Sequence, residues 1–250
     1  MEEQQRGTVR DADDRHSART DETVYVERGG GRAGEEADQV GPDAARWRRL
    51  LTYRTIWGMM LGFFCLKFGI YFFIVWFPAY LIEARHFSVG LKLGFAGATP
   101  ELTAVAGAWA GRLFSDRLIR RGVSLTKARK IPMVGGMLCG SVIAVAVIVP
   151  NSWAALGLLT IGFASLAFVG ASVRPLPADV APSHWHVASI GSIQNFVSNL
   201  AGVGSPALFG LLKGTTESFI PLLVITSAVT ILGAISYGLI TGRVDRLPPR

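Results

Sequence analysis

The sequence predicts an all-α membrane protein with six spanning helices. Three observations carry this expectation. Six apolar runs of bilayer-crossing length follow one another after residue 46. Half of the residues are apolar and only 17% are charged, a profile that suits a chain solvated largely by lipid. The positive charge is unevenly placed: residues 1–46 carry a net −5 and the rest a net +12. That excess collects in short connectors between alternate apolar runs, whereas a nucleic-acid binder would spread it over a soluble face.

Residues 1–46 hold twelve acids and seven arginines with few large apolar side chains. Such a segment buries too little surface to offset its ordering entropy and is expected to be a disordered acidic tail. No apolar stretch follows Met1, so no signal peptide is expected. Arg46-Trp-Arg-Arg49 and Arg54 form a basic, aromatic threshold of the kind found where a helix enters from the cytoplasm. The first span runs from about Ile56 to Leu81, with Pro78 near its outer end, where a missing hydrogen bond matters least. Glu83-Ala-Arg-His86 is a short outer loop, and the second span covers about Val89 to Leu113.

The stretch Gly111–Lys130 is the densest charge cluster, with seven basic residues (Arg112, Arg117, Arg120, Arg121, Lys127, Arg129, Lys130) around Asp116. It reads as a cytoplasmic loop. Pro132 sits in the first turn of the third span, which ends near Val149. Gly135, Gly136 and Gly140 on that span are expected to allow close helix packing. Pro150-Asn-Ser152 turns the chain into the fourth span, Trp153 to about Val173, which Arg-Pro-Leu-Pro177 ends. Residues from Asp179 to His186 form an inner loop. The fifth span is about Val187 to Leu212, the sixth about Phe219 to Thr241, and residues 246–250 are a short tail. The outer loops carry only Arg85, Lys92 and Lys213, so both termini are expected in the cytoplasm. Cys65 and Cys139 each fall inside an apolar run, so no disulfide is indicated.

Polar residues inside the spans are the candidate functional groups. Ser189, Ser192, Asn195 and Asn199 are spaced by three, three and four and share one helical face. Carboxamides at that depth need a protein or water partner, which fits either a hydroxyl-bearing ligand or hydrogen bonding between helices. Lys67 lies mid-span, one turn before Tyr71. An ammonium there costs at least ~2.5 kcal/mol on insertion scales unless it meets a partner or a wet cavity. Two roles stay open for Lys67: attracting an anion's carboxylate, or pairing with Glu101 of the second span, which could itself carry a proton. Arg174 reads as a snorkelling arginine at a span end. His184 and His186 lack a third ligand nearby, so no metal is expected. No nucleophile–base set, phosphate loop or zinc spacing occurs, so neither an enzyme nor a cofactor is expected.

Asp116-Arg117-x-x-Arg120-Arg121 resembles the loop signature of the major facilitator superfamily, Gly-x-x-x-Asp-Arg/Lys-x-x-Arg/Lys-Arg/Lys, in its second-half copy. Here the residue four before Asp116 is Arg112, and Gly111 lies one further back. Tyr71–Leu81, Ser115–Lys130, Asp179–Pro182 and Ile190–Gly202 are similar, in order, to segments of its anion:cation symporter family. The resemblance covers about residues 47–245 and implies helices seven to twelve of a twelve-helix fold. It implies a small carboxylate substrate such as a sugar acid or aromatic carboxylate, a proton as coupling ion, and a site in the plasma membrane. It also implies Asn195 as substrate-facing and Asn199 as more structural, with Tyr71 on the same wall, and Asp116, Arg117, Arg120 and Arg121 as a conformational gate. Lys67, a candidate for the same wall, departs from the neutral polar residue that family members more often carry near this position. A truncated transporter is the plainest expectation. A half-size subunit needing a second six-helix half and a non-transporting scaffold are its rivals, and nucleic acid is no partner.

Overall fold

The computed structural model describes residues 50–182 and 184–245, with the side chains of all of these except residues 184 and 185. The acidic tail, the Arg46–Arg49 threshold and the short C-terminal tail expected from the sequence lie outside the described residues. Six long helices make up what is described: α1 (Arg54–Ala84), α2 (Leu91–Arg120), α3 (Leu125–Val147), α4 (Ser152–Val180), α5 (His184–Thr216) and α6 (Ile220–Ile240). Among the described residues, α1, α3, α4 and α6 are long and apolar enough to cross a bilayer, with mean hydropathies of 1.8 to 2.0. Helices α2 and α5 are as long as these, at 30 and 33 residues, but do not reach that apolarity. The reason is local: α2 carries Lys92, Glu101, Arg112 and Asp116, and α5 carries Gln194, Asn195 and Asn199.

Helix α1 stays continuous past Pro78 because its backbone widens. Pro78 has no N–H and its ring crowds the carbonyl of Ile74, four residues back. A π-type turn over Phe72–Trp76, closed by Phe77 N–H donating to Phe72 O, absorbs the misfit. A second such turn covers Tyr80–Ala84. The wall that results is aromatic. Phe73 meets Phe163 of α4 at 4.4 Å between centroids, and Phe68 meets Phe209 of α5 edge-on at 5.1 Å.

The stretch expected to be a loop around Asp116 is mostly helical. Helix α2 continues to Arg120, and α3 begins at Leu125. Gly122, at φ +77°, ends α2 in a Schellman turn: its N–H donates to Ile119 O and Val123 N–H donates to Leu118 O. Only Arg121–Ser124 lie between the two helices. The inner loop after α4 is similarly short, since Leu176–Val180 is a helical turn and α5 starts at His184.

Helix α3 tightens over Ser141–Val147 into a 3₁₀ stretch. Ser227 of α6 explains this: its hydroxyl donates to Ser141 O and accepts from Ala144 N at 3.2 Å, entering the helical ladder from outside. Gly136 and Gly140 take the close contacts expected of them, against Val169 and Leu166. Gly135 does not, for it faces open space.

Packing divides the helices into layers. Helices α3 and α4 pack together, α6 lies against α1 and α3, and α2 and α5 sit on separate flanks, α2 on α4 and α5 on α1. On α2 only Ala96, Pro100, Gly111 and Ser115 are buried, a single stripe. One end of the bundle gathers the start of α1, the α2–α3 turn, the α4–α5 turn and the end of α6. There Arg54 donates to Leu239 O at 2.9 Å and Lys130 to Gly238 O at 3.0 Å, placing cations on the carbonyl end of α6. At the opposite end Arg85 donates to Tyr80 Oη (2.6 Å), Val149 O (2.8 Å) and Ala146 O, capping α3. Lys213 pairs with Glu83 at 3.0 Å beside it.

Candidate functional site

Two helices build the first candidate site. Contacts between α1 and α5 rise together along both helices, Phe68 with Phe209, Phe72 with Phe209 and Trp76 with Gly210, so the helices run parallel. Ser205 Oγ of α5 donates to Phe68 O at 3.2 Å and fastens the seam. Side chains tilt toward the start of their helix, and Tyr71 accordingly reaches back to pack its hydroxyl end on Gly202. A Cβ there would sit 2.6 Å from Tyr71 Cζ. Glycine at 202 is thus what admits the tyrosine ring.

The polar face of α5 opens beside this contact. Asn199 is three residues before Gly202, hence on its side of the helix. Ser192, Asn195 and Asn199 are exposed, while Ile190, Ile193, Gln194, Ser198 and Ala201 face inward. Ser198 Oγ donates to the main-chain oxygen of Asn195 at 2.8 Å. The amide of Asn199 is committed to no described partner. Gln194, only 6% exposed, holds an unpartnered Nε2 on the buried side, which sequence reading missed.

Lys67 is half-buried on α1 with its Nζ 5.5 Å from the centre of the Phe63 ring. Arg174, in the inner part of α4, is a charge of the same sign within electrostatic reach of it. Glu101 stands exposed on α2 and forms no ion pair among the described residues. Lys67 and Glu101 are therefore unpaired in this conformation, because α2 packs chiefly on α4 and touches α1 only at that helix's far end, Phe77–Ala84. Their effects should be independent: in a Lys67→Met and Glu101→Gln cycle, losses of thermal stability in detergent should add within about 0.5 kcal/mol. A larger coupling would restore the ion pair.

The residues expected to gate the basic end separate into two groups. Asp116 is half-buried and lines a cleft between α2 and α4. Arg117, Arg120 and Arg121 are exposed and pair with no described residue. The ion pair at this end is another one. Arg129 Nε, near the start of α3, meets Asp179 Oδ2, in the last turn of α4, at 2.8 Å, and both side chains are largely buried at 12% and 18% exposure. Arg129 Nη1 also donates to Ser115 Oγ of α2 at 3.0 Å, and Ser115 Oγ donates to Ala128 O at 3.2 Å. Three helices are joined through one guanidinium. A sequence signal for it existed: only six acids follow residue 46, so each one near a basic cluster is a candidate partner.

Comparison with known proteins adds a family. The model of the Major Facilitator Superfamily matches residues 10–206, beginning within the segment read as a tail. The protein named Probable galactarate/D-glucarate transporter GudP of Bacillus subtilis (strain 168) is 32% identical over 230 residues, covering 90% of this chain and 50% of the relative. Its namesake in Escherichia coli (strain K12) is 35% identical over 82% of this chain and 46% of its own length. The D-galactonate transporter of Escherichia coli O6:H1 is 31% identical over 90% of this chain and 53% of its own. The chain spans about half the length of the curated relatives it matches.

Proposed function

The chain belongs to the major facilitator superfamily, and from that membership we propose that it forms one half of a transporter for small organic anions of the sugar-acid class. It is a multi-pass membrane protein. The observation that carries the proposal is the open polar wall of α5, where Asn195 and Asn199 stand exposed on the side of the Tyr71–Gly202 seam, with Lys67 one turn along α1 from Tyr71. Carboxamides both donate and accept, as a polyol's hydroxyls require, and an ammonium attracts the carboxylate. Relatives named for galactarate, D-glucarate and D-galactonate carriage support that substrate class.

In this reading α2 and α5 are also spans, which makes six. At 1.5 Å per residue they are about 45 and 50 Å long, and their polar faces border a wet cavity rather than lipid. The six correspond to the C-terminal half of a twelve-helix carrier, with substrate held near mid-membrane between halves that rock. The basic end faces the cytoplasm of the cell membrane, with both termini there. The Arg129–Asp179–Ser115 junction holds α2, α3 and α4 together at that end, and Asp116 beside it meets the partner half when the inner side closes. A proton is the coupling ion, and Glu101 is a mid-span carboxylate on α2 available to carry it.

Uptake of labelled D-glucarate into proteoliposomes tests this. The chain joined to the first six helices of the Escherichia coli relative should take up glucarate, and a protonophore should abolish uptake. The chain alone should not exceed empty liposomes. Asn195→Ala in the joined protein should weaken apparent affinity about tenfold or more, the equivalent of one lost hydrogen bond to a charged or polar group. Protonophore-sensitive uptake by the chain alone would overturn the half-carrier reading. A folded, silent chimera would overturn the anion assignment.

A further inference from the structure

At the basic end a cleft of about 930 Å³ opens between α2 and α4, lined by Trp109, Arg112, Asp116, Arg129 and Arg174. Trp109, Arg112 and Asp116 are spaced by three and four and so share one face of α2. Arg174 enters from the other wall, in the turn where Pro175 breaks the regular part of α4. Three guanidiniums thus meet one carboxylate within the lining. Arg129 is already held by Asp179 and Ser115. Arg112 and Arg174 are exposed, and their guanidiniums have neither an ion pair nor a hydrogen bond to any described residue. With Asp116 and Asp179 both counted, the cluster keeps one positive charge in excess.

Two unpartnered guanidiniums facing one cavity repel each other until an anion lies between them. Arginine suits a carboxylate because its planar fork gives two parallel N–H···O bonds. Trp109, 72% exposed, supplies an apolar wall for a short carbon chain. The position also connects: Arg174 lies within electrostatic reach of Lys67, one turn from Tyr71, so cations continue from the Asn195 face toward the basic end. We propose that this cleft is a second anion site, in which Arg112 and Arg174 clamp a carboxylate of the sugar acid as it passes between the mid-membrane wall and the basic end. The assignment rests on the organic-anion reading above.

The same guanidiniums would also bind the phosphate of an acidic lipid, and the test separates the two sources. The full chain is placed in phosphatidylcholine nanodiscs and titrated with D-glucarate, reading total bound label together with Trp109 emission, the latter as the difference from Trp109→Phe. A saturable Trp109 response is expected. Arg112→Gln and Arg174→Gln should each raise its half-saturation about tenfold or more, with unchanged melting because both side chains are exposed. Asn195→Ala, in the other site, should leave the Trp109 response in place while lowering total bound label.

A Trp109 response indifferent to both arginines, or lost in Asn195→Ala alone, overturns the second site while bound label keeps the anion reading standing. Absence of bound label in every variant removes both readings. If phosphatidylglycerol discs without glucarate give the arginine-dependent response and block glucarate, the site belongs to a lipid headgroup and the substrate assignment falls.

Discussion

Gly111→Leu should abolish the folded chain, and Gly111→Ala should already lower its thermal stability in detergent by about 1–3 kcal/mol. A Cβ built at 111 lies 3.0 Å from both the Cα and the carbonyl carbon of Phe168 on α4, and closer still to that carbonyl's oxygen. Gly107, one turn earlier, stands in the same relation to Ala164. The neighbours are backbone and cannot swing aside, so α2 must back away from α4. That contact is the main attachment of α2, whose buried stripe is only four residues. Backbone approach through glycine, with Cα–H···O contacts across it, is how helices associate where lipid removes the hydrophobic drive. Gly94 and Gly97 on the same helix meet nothing within 4 Å, so alanine there should raise helix propensity and leave melting unchanged or slightly higher. If Gly111→Ala melts like the parent, the α2–α4 packing described above is wrong.

Arg129→Gln and Asp179→Asn should each destabilise the chain by about 2–3 kcal/mol, below the cost of breaking a fully buried pair because both groups keep some water. Either change strands a partly buried charge, and the arginine change also leaves Ser115 without its donor. The double variant should lose less than the sum of the two, since removing both partners leaves no orphan. Ser115→Ala should lose only about 1 kcal/mol. Thermal unfolding of the four variants reads the cycle directly. Strict additivity would mean that the contact holds no energy. By contrast, neutralising exposed Arg117, Arg120 or Arg121 should shift melting by less than about 0.5 kcal/mol.

These two predictions mark where the sequence was legible. The basic residues between α2 and α3 were readable as one end of a helical bundle because charge in short connectors is a one-dimensional signal. Arg54 and Lys130 do lie at that end, together on α6. The spacing of Asn195 and Asn199 on an outward face of α5 was equally readable, for helical periodicity needs no tertiary information. Less legible was the boundary of the charged stretch. A run dense in arginine looks like a loop, yet arginine is a good helix former. Gly122 with its positive φ, not the charge, decides where α2 stops.

Glycine 111 shows the same division. One position off the family spacing, it could not be assigned a role from sequence, and in the structure it carries the α2–α4 contact. The ion pair differs too: the sequence points to Asp116 with its adjacent arginines, while the pair formed is Arg129 with Asp179, 50 residues apart. Lys67 and Glu101, plausible partners by depth, rest on helices that attach to different neighbours.

By itself the sequence determined the helices, the apolar spans among them, the basic end and the polar face of α5. All of these depend on periodicity and composition along one chain. Only the tertiary structure decided which helix lies on which, and so which charges meet, which glycines touch backbone, and where Tyr71 rests. The physical reason is range. Periodicity records which way a side chain points from its own helix, but a contact across helices depends on register and rotation, to which many different sequences are blind until the backbones pack.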